Sequence, residues 1–143
     1  MSVLVDTSIW SLALRRKAEH LNGRERLLVD EWSDLVREGR VRIIGLVRQE
    51  LLSGIKTHAQ FEALRKTAGV FVDELVDTED HEAAARAGNS CRSKGIAVSS
   101  VDMLICAVAL RRGMSIFTTD PDFGNYARVL PVKLHTISNP TIS

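Results

Sequence analysis

The chain has 143 residues, 45% of them hydrophobic and 26% charged, with a formal net charge of +1. That length suits one domain with a real core. The balanced charge excludes a global basic field of the kind that advertises nucleic-acid binding, while leaving room for a local basic rim. No apolar stretch approaches the roughly 20 residues of a membrane span, so no membrane association is expected. The short apolar start has no basic n-region and does not read as a signal peptide. Cys91 and Cys106 fall in helical-looking segments without metal-ligand spacing, which reads as small apolar packing by reduced thiols in a cytoplasmic protein.

In chain order, Val3-Leu4-Val5 reads as a first buried strand, followed by a short helix to about Arg16. Gly23 to Glu38 places Leu27, Leu28, Trp32, Leu35 and Val36 at helical spacing, with Gly39 as the stop. Val41 to Ile44 is a second strand. Leu46 to Ser53, closed by Gly54, and His58 to Thr67, closed by Gly69, are helices. Val70 to Val76 has mixed strand and edge character. Thr78 is expected to cap the alanine-rich helix Glu79 to Lys94, which Gly95 ends. Ser99 or Ser100 opens the apolar helix Val101 to Arg112, ended by Gly113. Ile116 to Thr118 and Val132 to Leu134 complete about five strands, giving an α/β class with a mainly parallel sheet in a three-layer α/β/α sandwich. Residues 1–137 form the expected domain, and 138–143 a tail that frays.

Four acids stand out against this pattern. Asp6 and Asp120 each follow an apolar strand, and parallel strands bring such ends to one edge of the sheet, where ligands of open α/β sheets collect. Each also has a plain reading, Asp6 as a helix cap and Asp120 as part of an Asp-Pro-Asp-Phe turn. Asp102 suits the fourth position of a capping box opened by Ser99, yet it heads a helix that is otherwise wholly apolar to Leu110. A carboxylate there is costly unless it is paired, hydrogen-bonded or metal-bound. Glu50 borders the apolar face set by Leu46 and Val47, a position also compatible with a solvent-exposed glutamate.

With these residues in order, the chain resembles PIN-domain ribonucleases, and among them the VapC-type toxins of toxin–antitoxin pairs. The carriers are the strand running into Asp6-Thr7-Ser8, Glu50 after the second strand, Ser99-Ser100-Val101-Asp102, and Phe117-Thr118-Thr119-Asp120-Pro121-Asp122-Phe123. The resemblance implies a PIN-like fold and a catalytic quartet of Asp6, Glu50, Asp102 and Asp120. It further implies Mg²⁺-dependent hydrolysis of RNA phosphodiesters, leaving a 5′-phosphate and a 3′-hydroxyl. Asp6, Asp102 and Asp120 are the expected metal ligands, Asp122 an outer helper or alternative to Asp120, and Glu50 the residue that positions or deprotonates water. Carboxylate oxygens without His or Cys suit Mg²⁺, with Mn²⁺ as a substitute.

Thr7, Ser8 and Thr119 are expected to orient ligands or water. Arg15, Arg16, Lys17, Arg48, Arg92 and Lys94 are candidate RNA-binding cations. The resemblance also implies a homodimer and a VapB-like antitoxin covering the active-site groove. Trp10, Leu12, Leu14, Trp32 and Leu52 could serve those surfaces, although core packing is the commoner fate of such residues. A haloacid dehalogenase-like phosphatase would need an Asp where Ser8 stands, and a receiver domain would need a late lysine that Lys133, in a strand, does not supply. The remaining alternative is a catalytically silent PIN-like module that binds RNA or protein.

Overall fold

The computed structural model describes residues 1–137, and the expected tail at 138–143 lies outside the described residues. Four strands form one parallel sheet: β1 (Val3–Val5), β2 (Val41–Ile44), β3 (Asp73–Glu74) and β4 (Ser115–Phe117), in the order β3-β2-β1-β4. All of β1 and β4 is buried, as expected of strands covered on both faces and lacking polar alternation. The register pairs Val5 with Phe117, so the residues leaving β1 and β4 emerge side by side. Among the described residues, seven α-helices connect and flank the strands in a three-layer α/β/α arrangement. They are α1 (Thr7–Trp10, continued by a wider turn over Ser11–Arg15), α2 (Gly23–Arg37), α3 (Gly45–Leu52), α4 (His58–Ala68), α5 (Thr78–Ser93), α6 (Ser100–Arg112) and α7 (Asp122–Tyr126).

Two details differ from the sequence reading. The expected fifth strand is a single bridge between Ile116 and Leu134. Ile116 makes its bonds, donating to the Lys133 carbonyl at 2.8 Å and accepting from the His135 N–H at 2.7 Å. The cap of α5 is Asp77, not Thr78: Asp77 accepts the Asp80 N–H and Asp80 returns the bond, a complete capping box. Gly69 ends α4 with a helical φ, and a side chain there would meet the Arg65 carbonyl at 3.1 Å. By contrast, Gly113 ends α6 in the left-handed region, at φ 66°.

The core includes an aromatic cluster. The Trp10 indole packs edge-on against Trp32 and Phe71, with centroids 5.6 and 4.8 Å away, and its N–H donates to the Val5 carbonyl at 3.1 Å. Trp10 and Leu12 are buried, and Leu14, Trp32 and Leu52 pack against the same core, so these five residues are core rather than free surface. Both cysteines are buried free thiols. No helix among the described residues is long and apolar enough to cross a membrane.

Candidate metal centre

Asp6 follows β1 directly and is 6% exposed. Its side chain makes no cap bond to α1, although its carbonyl accepts the Ile9 and Trp10 N–H groups. Capping therefore does not explain this carboxylate. Instead Oδ2 accepts two hydroxyls, Thr118 Oγ1 at 2.7 Å and Ser8 Oγ at 2.9 Å. Each hydroxyl in turn accepts a backbone N–H from the loop after β4: Asp120 to Thr118 at 2.9 Å, and Thr119 to Ser8 at 3.0 Å. The ends of the adjacent strands β1 and β4 are thus tied together through one carboxylate oxygen.

Asp102 stands in the first turn of α6, where Ser99 caps the helix by accepting the Asp102 N–H at 3.1 Å. The Asp102 carboxylate does not complete a capping box. It accepts a 2.6 Å bond from the Tyr126 hydroxyl instead. Burial raises the Asp102 pKa, the Tyr126 bond opposes that rise, and the charges of Asp6 and Asp120 add to it. On the next turn of α6, the Cys106 thiol is pushed up to about 12 by burial and by the neighbouring Asp102, which marks an apolar floor.

Asp102, Asp120 and Asp122 each offer a carboxylate oxygen, and the three oxygens lie within 4.8 Å of one another. Oxygens sharing one octahedral Mg²⁺ stand roughly 2.9 Å apart when adjacent and 4.2 Å when opposite, so the three carboxylates would draw together to hold one ion. The donor set contains no nitrogen or sulfur, which suits Mg²⁺ or Mn²⁺ over zinc.

This grouping overlaps the expected ligand set without matching it. Asp122, expected as an outer helper, joins Asp102 and Asp120 within ligand reach, because the turn at Pro121 brings α7 back over the strand end. Asp120 Oδ1 accepts the Asp122 N–H at 2.9 Å, so the turn reading of this motif is also realised. Asp6, expected as a direct ligand, lies outside that triad but close enough for its charge to act on Asp102. Glu50 is also outside the triad. It is exposed, and its Oε1 accepts the Thr7 hydroxyl at 2.6 Å, which fixes it beside the Asp6 segment.

Among the hydroxyls, Thr7 and Ser8 touch acids, whereas the threonine that reaches Asp6 is Thr118 rather than Thr119. Thr119 contributes its backbone N–H, because β4 ends at Phe117 and the next side chain turns inward.

The expected basic residues separate. Arg16 lines an open groove of about 790 Å³ beside Ser8, Thr119 and Asp120, together with Arg24, which sequence reading missed. Arg92 lines a different groove of about 440 Å³ next to Ser99. Arg15 reaches the Ser53 carbonyl at 3.4 Å, and Lys17 and Lys94 are exposed. Arg48 is no rim cation. Its guanidinium bonds Asp73 at 3.0 Å, the Ala68 carbonyl at 2.9 Å and the Phe71 carbonyl, clasping α3 to β3 and the end of α4.

The sequence profile of the PIN domain matches residues 3–129. Ribonuclease VapC11 of Mycobacterium tuberculosis is 31% identical over 131 residues, covering 89% of this chain and 92% of that protein. A VapC ribonuclease of Mycobacterium bovis matches with the same figures. The chain belongs to the VapC-type PIN-domain family. Solved structures agree on the fold of this PIN domain. That of VapBC2 from Rickettsia felis, bound to a DNA fragment from its promoter, superposes with a TM-score of 0.74 at 16% identity over 94% of this chain and 98% of that one. The FitAcB structure from Neisseria gonorrhoeae gives a TM-score of 0.70 at 18% identity over 94% and 96%.

Proposed function

We propose that this PIN domain is the toxin of a type II toxin–antitoxin pair and acts as a Mg²⁺-dependent endoribonuclease in the cytoplasm. The observation that carries the reading is the convergence of Asp102, Asp120 and Asp122, with Asp6 behind them, at the carboxyl ends of adjacent parallel strands. No Arg or Lys among the described residues forms an ion pair with any of them, so a cation from outside is the natural balance for this charge. The names of the relatives, ribonucleases of the VapC type, supply the reaction class.

Asp102, Asp120 and Asp122 would hold the ion, with Asp6 contributing its charge and, on ion binding, its second oxygen. When bound, Mg²⁺ or Mn²⁺ neutralises charge at the scissile phosphate and lowers the pKa of a water nearby. Ser8 and Thr118 keep the Asp6 carboxylate fixed through Oδ2. Glu50, oriented by Thr7, takes the proton of the attacking water as the P–O3′ bond breaks, and the leaving 3′ oxygen takes a proton from solvent, which yields a 5′-phosphate and a 3′-hydroxyl. Arg16 and Arg24, along the groove, meet the RNA backbone and offset its repulsion from the acids.

A VapB-like antitoxin would close the same groove, and the toxin would form a homodimer. The solved neighbours support the antitoxin, since they include VapBC-5 of Mycobacterium tuberculosis, a member of the VapBC family of toxin–antitoxin systems. Light scattering of the chain alone and with its antitoxin tests both assignments.

Incubating RNA with the wild-type chain, Asp102→Asn and Asp6→Asn in Mg²⁺, and sequencing the new 5′ ends, tests the activity. Cleavage by the wild type alone, abolished by EDTA, is the expected result. Equal cleavage by all three would refute the site, and no cleavage by the wild type would favour the silent module.

A further inference from the structure

Tyr126 is the only tyrosine of the chain and is 2% exposed. Its ring packs edge-on against Phe123, itself fully buried, with centroids 5.2 Å apart. A phenol buried this deeply needs a partner for its hydroxyl. The partner is a carboxylate, Asp102 Oδ2, at 2.6 Å, across 24 residues of sequence.

The position of Tyr126 gives this bond a consequence for the whole centre. The five-residue helix α7 carries Asp122 at its start and Tyr126 at its end, and it follows Asp120 after one residue. It is anchored by buried Phe123, whose N–H donates to the Asp120 carbonyl at 3.2 Å. Two of the three clustered acids therefore belong to the α7 segment, and the third, Asp102, belongs to α6. The Tyr126 hydroxyl is the hydrogen bond that joins the two pieces.

We infer that Tyr126 is a positioning residue of the metal centre, holding the Asp102 carboxylate in register with Asp120 and Asp122. The inference rests on the metal-dependent reading above. Without the hydroxyl, Asp102 keeps its place on α6 but loses its fixed orientation, and ion binding has to restore it. Outer partners of metal ligands typically contribute roughly 10–100-fold in affinity, and a single neutral donor belongs at the lower end.

Because Tyr126 is the sole tyrosine, growth on 3-fluorotyrosine labels this one position for ¹⁹F NMR. Adding Mg²⁺ to the labelled wild type is expected to shift the single resonance to a saturable limit. In Asp102→Asn the metal-free resonance is already displaced, and Mg²⁺ leaves it unmoved. In parallel, calorimetry with Mn²⁺ on Tyr126→Phe, which keeps the ring packing, is expected to show Kd raised about 10-fold with the fold intact by circular dichroism.

A Kd within a factor of about two of wild type in Tyr126→Phe, while Asp102→Asn has lost binding, overturns the role of Tyr126 and leaves the metal centre standing. Equal Kd in wild type and Asp102→Asn, or no binding by either, overturns the metal centre itself. Should Tyr126→Phe fail to fold, the wild-type resonance decides, and its indifference to saturating Mg²⁺ overturns the inference.

Discussion

At the C-terminal end of α6 and its junction with α5, Asp80 is fully buried yet meets two guanidinium groups, Arg111 at 2.6 Å and Arg112 at 2.7 Å. Arg111 also reaches Asp77 and Glu79, each at 3.1 Å. At the N-terminal end of the same helix, Asp102 stands beside Asp120 and Asp122 with no Arg or Lys ion pair among the described residues. Burial works against ionisation at both ends. At Asp80 it is outweighed by the Asp77 backbone N–H and the two arginines, which hold the carboxyl down at about 2. At Asp102 burial wins, reinforced by the charges of Asp6 and Asp120, and the pKa rises. In one cluster each of these carboxylates meets a guanidinium, which holds the helices together. In the other, no Arg or Lys among the described residues pairs with the acids, the kind of unbalanced cluster that the proposed metal centre would use.

Asp102→Asn should give the largest effect, a loss of RNA cleavage on the order of 10²–10³-fold, measured under single-turnover conditions. Its metal-free stability should equal or exceed that of wild type. Because the folded pKa of Asp102 is raised, its ionised form costs stability, and the gap between wild type and Asp102→Asn should close as pH falls through that raised pKa.

Asp80→Asn should behave in the opposite way, with stability falling by about 2–3 kcal/mol in urea titration while cleavage per folded molecule stays unchanged. The sign with pH also reverses. The folded pKa of about 2 lies below the ordinary value of 3.8, so the stabilising contribution is fully present above 3.8 and is lost as pH falls through about 2. A stability difference between wild type and Asp80→Asn that persists at the acid end would break the contrast.

Smaller effects sharpen the boundary of the site. Thr118→Val removes one of the two hydroxyls on Asp6 and should slow cleavage about 10-fold, whereas Thr119→Val should change it less than about twofold, since only its backbone bonds Ser8. Arg48→Gln should lower stability by about 1–2 kcal/mol without altering the salt dependence of RNA binding. Arg24→Gln should do the reverse, flattening that salt dependence by about one unit of slope or less.

Sequence patterning was informative where a residue's fate depends on its immediate neighbours. The apolar run before Asp6 fixes a buried strand end, and the wholly apolar body of α6 makes an acid at its start conspicuous. It failed where long-range geometry decides. Thr118 and Thr119 differ by one step at a strand end, and only the strand's last residue, Phe117, determines which hydroxyl points inward. The partners of Arg48 lie 20–25 residues away, so nothing local distinguishes it from a free surface cation. Tyr126 carried a faint signal, a lone tyrosine in a sequence poor in aromatics, but its acceptor is on another helix. Asp122 joins the cluster only because the chain folds back at Pro121.

An anomalous difference map from crystals soaked in Mn²⁺ tests the central contrast most directly. A peak roughly 2.0–2.3 Å from one carboxylate oxygen each of Asp102, Asp120 and Asp122 is expected, with none at the arginine-neutralised Asp80 cluster. A Mn²⁺ peak elsewhere, or none at these acids under saturating metal, would contradict it.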